Sequence, residues 1–115
     1  MTERRGKYSA KPVVVDNIRF DSTAEANRYR ELLLLAKAGE ISELLVHPKF
    51  QLQEAFEHCG KHYRAITYEA DFMYQDVETG GMVVEDTKGF STDVFRLKMK
   101  MLLYKYPGLD FRIVK

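Results

Sequence analysis

The segment Arg64-Ala65-Ile66-Thr67-Tyr68-Glu69-Ala70-Asp71-Phe72-Met73-Tyr74 is rich in β-formers, yet it carries Asp71 in its middle. The next apolar run, Met82-Val83-Val84, leads into Glu85-Asp86-Thr87-Lys88-Gly89. Thr79-Gly80-Gly81 between them reads as a hairpin turn, so the two strands are expected side by side. A carboxylate in such a strand is costly unless it is paired, hydrogen-bonded or bound to a metal. Side chains two apart on a strand share a face, so Asp86 and Lys88 face together and converge with Asp71. Either Glu85 or Asp86 is available as the second acid, and alternation with Lys88 favours Asp86. Carboxylate oxygens of this kind suit Mg²⁺, and the Thr87 carbonyl can add a third ligand. A metal there would polarise a phosphoryl oxygen and lower the pKa of bound water. Lys88 would orient that water or stabilise the growing negative charge.

Outward from this block, the chain reads as alternating helix and strand. Val13-Val14-Val15 and Ile18-Arg19-Phe20 flank Asp16-Asn17, a predicted hairpin around a two-residue turn. Ser22 to Ala38 has helical spacing, opened by the capping-box pattern Ser22-Thr23-Ala24-Glu25 and stopped by Gly39. Ile41 to Val46 reads as a short extended or turning segment running into His47-Pro48, and Phe50 to Phe56 as a strand. Thr92 to Tyr104 is a second helix, broken by Pro107-Gly108, and Leu109 to Val114 alternates as a final strand. The main order is helix, three strands, helix, strand, after an N-terminal hairpin, which is an α/β arrangement. Residues 1–12 lack periodicity and are expected to form a mobile basic arm, leaving 13–115 as one domain.

The chain has 115 residues, of which 45% are hydrophobic and 30% charged, the balance of a globular domain rather than a disordered one. The longest apolar run, Leu32 to Ala36, is far shorter than the roughly 20 residues that span a bilayer. No apolar stretch follows the basic N-terminus, so neither a membrane span nor a secretory signal is expected, and the cytoplasm is the expected location. The single Cys59 excludes an internal disulfide framework and fits a reducing compartment. The net charge of +1 divides into +3 over residues 1–15, −6 over 16–91 and +4 over 92–115. An acidic centre between basic ends suits a protein holding cations centrally and phosphates at its flanks; an ordinary solvated surface gives the same pattern.

With Asp71 on one strand and Asp86-x-Lys88 on the next, in this order of elements, the chain resembles the PD-(D/E)XK nuclease superfamily. Tyr68-Glu69-Ala70-Asp71-Phe72 followed by Val84-Glu85-Asp86-Thr87-Lys88-Gly89 is similar to the core of the phage endonuclease I type of Holliday junction resolvase. From Lys7 nearly to the C-terminus the chain also resembles a phage family catalogued as a domain of unknown function. That resemblance is carried by Phe20-Asp21-Ser22-Thr23-Ala24-Glu25, Ala38-Gly39-Glu40-Ile41 and Glu85-Asp86-Thr87-Lys88-Gly89-Phe90. The resemblance implies a restriction-endonuclease-like αβββαβ core with a central mixed sheet flanked by two helices. It implies a Mg²⁺-dependent endodeoxyribonuclease, with Mn²⁺ able to substitute, acting on branched DNA as a homodimer. It places Asp71 and Asp86 at the metal, Lys88 as the catalytic lysine, and Glu25 as an additional helix carboxylate at the metal site. Ala70 stands where the superfamily's motif has proline, and His47 where relatives tend to carry glutamine. Two other activities fit the same fold: a catalytically silent module binding DNA or a replication protein, and a nuclease for unbranched DNA.

Other residues admit both a functional and an ordinary reading. A capping box accounts for Ser22 and Glu25 without any metal. Arg96, Lys98 and Lys100 on the second helix are candidates for DNA phosphate contacts, Arg96 and Lys100 being four apart on one face. His58, Cys59 and His62 lack the second ligand pair of a usual zinc site and read as a solvated hairpin loop. The tyrosines at strand and helix spacing read as core or rim residues.

Overall fold

A computed structural model describes residues 11–87 and 91–114. Most of the basic arm, and Lys88 with its two following residues, lie outside the described residues. Strands β1 (Val13–Val15) and β2 (Ile18–Phe20) pair antiparallel about Asp16 and Asn17, whose φ values of 54° and 64° match a turn with two left-handed residues. The Tyr29 hydroxyl donates to Asp16 Oδ2 at 3.0 Å and ties this hairpin to helix α1 (Thr23–Lys37). Ser22 caps α1, its Oγ accepting from Glu25 N at 3.1 Å. The return half of the expected capping box is altered: the Glu25 carboxylate engages the backbone of Asp21. At the other end Gly39, with φ 81°, lets Glu40 N reach Leu35 O and close the helix.

After α1 come β3 (Ile41–Val46), β4 (Lys49–Gln53), β5 (Phe56–His58), β6 (Lys61–Tyr63), β7 (Ile66–Glu69), β8 (Phe72–Asp76) and β9 (Met82–Thr87). Helix α2 (Asp93–Lys105) and β10 (Asp110–Val114) complete the described chain. Four strands form the central mixed sheet in the order β10-β9-β8-β3. Within it β10 runs parallel to β9, while β8 is antiparallel to both β9 and β3. The segment expected to be short and extended or turning is extended, an edge strand of this sheet. Its alternation is hidden by a bulge between Ser42 and Leu45, where Glu43 has φ 55°.

One apolar cluster joins Phe20, Tyr29 and Leu32 to Phe72, Tyr74 and Val83. A second joins Tyr68, Phe95 and Leu102 to Val84. Val83 and Val84 are neighbours on β9, so the two clusters occupy opposite faces of the sheet, one under α1 and one under α2. Strand β9 is buried on both faces, which is why its carboxylates need partners. The fold is therefore α/β, a mixed sheet between two helices. Among the described residues no helix is long and apolar enough to cross a membrane.

Candidate active site

Strands β3 and β4 run against β8 and β7 as one continuous ribbon that bends once. At the bend, His47 N donates to Asp71 O at 2.9 Å and Ala70 N donates to Pro48 O at 3.0 Å. Pro48 has no N–H to offer a ladder, and His47 adopts φ 57°, so the sequence interrupts the strand at this point. Opposite, the β-rich segment divides at Ala70-Asp71 into β7 and β8 rather than continuing as one strand. The bend carries β7 out of the central sheet to pair with β4 alone.

Asp71 occupies the vacated rung beside β9. Its N–H donates to Glu85 O at 3.1 Å. Its Oδ2 accepts from Thr87 N at 2.5 Å, doing for β9 what a backbone carbonyl of β8 would otherwise do. Asp86 is 3% exposed and accepts from the Tyr68 hydroxyl, which the bend swings across from β7. The Asp86 carboxyl stands near enough to Asp71 to raise it through its charge. They lie in a polar cleft of about 500 Å³, whose walls include Glu25 from α1, His47 at the bend, and Arg19 and Asp21 from the N-terminal hairpin and its exit.

The acids are crowded enough to shift their ionisation. Burial, opposed by the Thr87 amide and aided by the charges of Asp86 and Glu25, pushes the Asp71 carboxyl up to about 7. Glu25 is also raised, first by burial and then by Asp21, against the backbone of Asp21 and the His47 charge. The Tyr68 hydroxyl is raised by burial and by its bond to Asp86.

Glu85 and Asp86, adjacent in sequence, have opposite fates. Glu85 is fully buried on the α1 face, where Arg28 grips it through Nε at 2.7 Å and Nη2 at 2.6 Å and Tyr74 donates at 2.5 Å. Burial works against its charge, but Arg28 and Tyr74 prevail and hold its carboxyl below the usual range. Glu85 is thus a structural acid that anchors β9 to α1, and Asp86 is the acid at the cleft.

The structure brings Asp71, Asp86, Thr87 and Glu25 to one cleft. Asp71, Asp86 and Glu25 line it together, near enough for the charges of Asp86 and Glu25 to act on Asp71. Among the described residues no group of three or more His, Cys, Asp and Glu is arranged to hold a metal ion. Thr87 Oγ1 is buried and without a hydrogen-bond partner among the described residues. Two carboxylates are a sufficient protein share for Mg²⁺, which retains water and takes further oxygens from substrate. Lys88 follows Thr87 directly and lies outside the described residues. On α2, Arg96 and Lys100 line one groove with Leu97 and Leu103, while Lys98 is half-buried away from it. Arg96 is already engaged by Asp93 and Ser91 O. On the β5–β6 hairpin, the strand register turns His62 to the face opposite His58.

Tyr68 is the site residue that the tyrosine pattern did not mark, because its reach to Asp86 depends on the bend. Arg28 and Tyr74 were equally unmarked. The only local signal for the bend is His47-Pro48, a residue pair that disfavours an uninterrupted strand.

A family model described as Protein of unknown function (DUF1064) matches residues 5–115, and the chain belongs to that family. No curated protein and no solved structure matches it.

Proposed function

We propose that this member of the DUF1064 family is a metal-dependent DNA endonuclease with a restriction-endonuclease-like core, hydrolysing phosphodiester bonds in branched DNA. The observation that carries the reading is the convergence of Asp71, at the break before β8, and Asp86, on β9, in one polar cleft. Crowding that raises an acid toward neutrality is unfavourable for folding and characteristic of functional sites. The order α1, β3, β8, β9, α2, β10 matches the αβββαβ order that the PD-(D/E)XK resemblance implies, and it supports the reading further.

In this reading Asp71, Asp86 and the Thr87 carbonyl hold Mg²⁺ or Mn²⁺, with Glu25 at the edge of the site. Bound there, the metal would supply Lewis-acid polarisation of the scissile phosphate and a more acidic water. The chain's own residues do the positioning. Tyr68 fixes the Asp86 carboxylate from below, and the Thr87 amide fixes Asp71. The Arg28–Glu85 pair holds β9 in register so that Asp86 keeps its direction. Lys88, the residue after Thr87 in the sequence, would stabilise charge on the phosphate or orient the attacking water. Arg96 and Lys100 are the stronger candidates on α2 for flanking phosphates, and Lys98 the weaker. A homodimer is the natural assembly for paired cuts across a junction.

The test is cleavage of labelled four-way junction, fork and linear duplex by the wild type, Asp86→Asn and Lys88→Ala, with Mg²⁺ or EDTA. Paired junction cuts, lost in EDTA and reduced at least ~100-fold in both variants, are the expected result. Equal cutting of linear duplex would redirect the substrate to unbranched DNA. Tight junction binding without cleavage in either Mg²⁺ or Mn²⁺ would replace the enzyme with a binding module.

A further inference from the structure

The β5–β6 hairpin stands at the far end of the bent ribbon whose root carries Asp71. All six of its strand residues are exposed, so no apolar core holds it in place. Its tight turn uses Cys59 and Gly60 at φ 49° and 77°, the two left-handed residues that a two-residue hairpin needs. The strand register sorts its side chains onto two faces. Phe56 pairs with Tyr63 and His58 with Lys61 on one face, while Glu57 pairs with His62 on the other.

The two faces differ chemically. The only acid in the paired strands, Glu57, is on the second face and bonded to His62 Nδ1 at 2.9 Å. The first face carries the Phe56 and Tyr63 rings stacked at 5.0 Å and 11°, with Lys61 Nζ 5.2 Å above the Tyr63 ring. Phe56 and Tyr63 remain 43% and 39% exposed although they pair with each other. Exposed aromatic rings beside a cation, with the acid of the paired strands turned away, are the chemistry that binds a nucleic-acid strand: rings stack on bases and the cation meets phosphate.

We propose that the Phe56–Tyr63 face of this hairpin is a second nucleic-acid contact, binding unpaired bases away from the carboxylate cleft. This rests on the reading of the protein as acting on DNA. Tyr63 lies eight positions before Asp71. The contact is therefore at most about 26 Å along the ribbon from the cleft, a reach that lets one molecule hold a DNA arm at both places. A forked or flapped DNA supplies unpaired bases where its arms meet, and an open four-way junction exposes unstacked base faces there.

The test uses the full chain in EDTA with a labelled polythymidine strand and a labelled four-way junction. Cys59 is the only cysteine of the chain and sits at the hairpin tip, exposed, so its rate of maleimide alkylation reports on the hairpin without any substitution. Saturating DNA should slow alkylation several-fold. Tyr63→Leu, which keeps apolar bulk but loses stacking, should weaken binding about 5- to 150-fold. Lys61→Ala, which leaves the ring pair intact, should reduce the salt dependence of binding by about one phosphate contact. DNA that binds without protecting Cys59, or binds both variants as tightly as the wild type, overturns the proposal and leaves the nuclease reading standing. A change of sedimentation in Tyr63→Leu with unchanged DNA affinity would overturn it in favour of self-association. Hairpin-dependent binding with no cleavage in Mg²⁺ or Mn²⁺ supports the proposal and overturns the nuclease instead.

Discussion

Asp71→Asn should stabilise the metal-free protein at neutral pH, the reverse of what replacing a structural aspartate does. The substituted amide can still accept from Thr87 N through its oxygen, and its NH₂ can donate to Asp86 where Asp71 presents a second negative charge. The Asp71 carboxyl is raised from 3.8 to about 7 in the folded chain. One unit corresponds to about 1.4 kcal/mol, so full ionisation would carry a ceiling of about 4 kcal/mol against folding. The cleft is open to water, which screens the repulsion, and the neutral amide must also be desolvated. A gain of about 1–2 kcal/mol is therefore expected, on the order of 3–8 °C in melting temperature for a chain of this size. The sign follows from linkage. A folded-state pKa above the unfolded one makes the folded wild type bind the extra proton, so its stability rises as pH falls from about 7 toward 4. The advantage of the Asp71→Asn variant should then be full at about pH 8 and vanish near pH 4. The assay is thermal unfolding in EDTA across that range, followed by circular dichroism. A variant that melts lower than the wild type at the alkaline end, or differs by the same amount at every pH, would refute the crowded-carboxylate account.

Three further outcomes follow from the same geometry. Mg²⁺ should raise the wild-type melting temperature with the logarithm of its concentration above its dissociation constant, adding about 1.4 kcal/mol at about ten times that constant, and should do nothing for Asp86→Asn; equal shifts in both would remove Asp86 from the metal. Arg28→Met leaves the fully buried Glu85 carboxylate without its cation and should cost about 3–5 kcal/mol in urea unfolding. That loss should shrink on acidification as Glu85 takes up a proton, and a loss below about 1 kcal/mol would show that Tyr74 alone suffices. Ser22→Ala should cost about 1 kcal/mol by removing the cap on α1, with metal-dependent melting unchanged, since Glu25 faces the cleft through its own carboxylate and not through Ser22.

Much of the site was legible because strand chemistry is local. A period of two places Asp86 and Glu85 on opposite faces whatever surrounds them, and Thr79-Gly80-Gly81 commits β8 and β9 to neighbouring positions. The order of helices and strands likewise follows from patterns each segment carries by itself: Ser22 and Gly39 around α1, Pro107-Gly108 after α2, and the β-formers between. Alternation also separates the two β5–β6 faces, and the solvated hairpin loop read at His58, Cys59 and His62 agrees with their exposure.

What the sequence could not decide was which face of β9 meets which neighbour. Glu85 and Asp86 are chemically near-equals on paper; alternation with Lys88 favours Asp86 as the second acid but names no partner for either. The packing of α1 against the sheet delivers Arg28 and Tyr74 to Glu85, while the bend at His47-Pro48 and Ala70-Asp71 delivers Tyr68 and Asp71 to Asp86. One carboxylate is neutralised by a cation and becomes structure; the other is crowded by a second acid and becomes a candidate site. Those partners come from 11 to 57 positions away in the chain for Glu85 and 18 for the Tyr68 bond to Asp86. Contacts at such separations depend on the whole fold closing, and no local rule of spacing contains them.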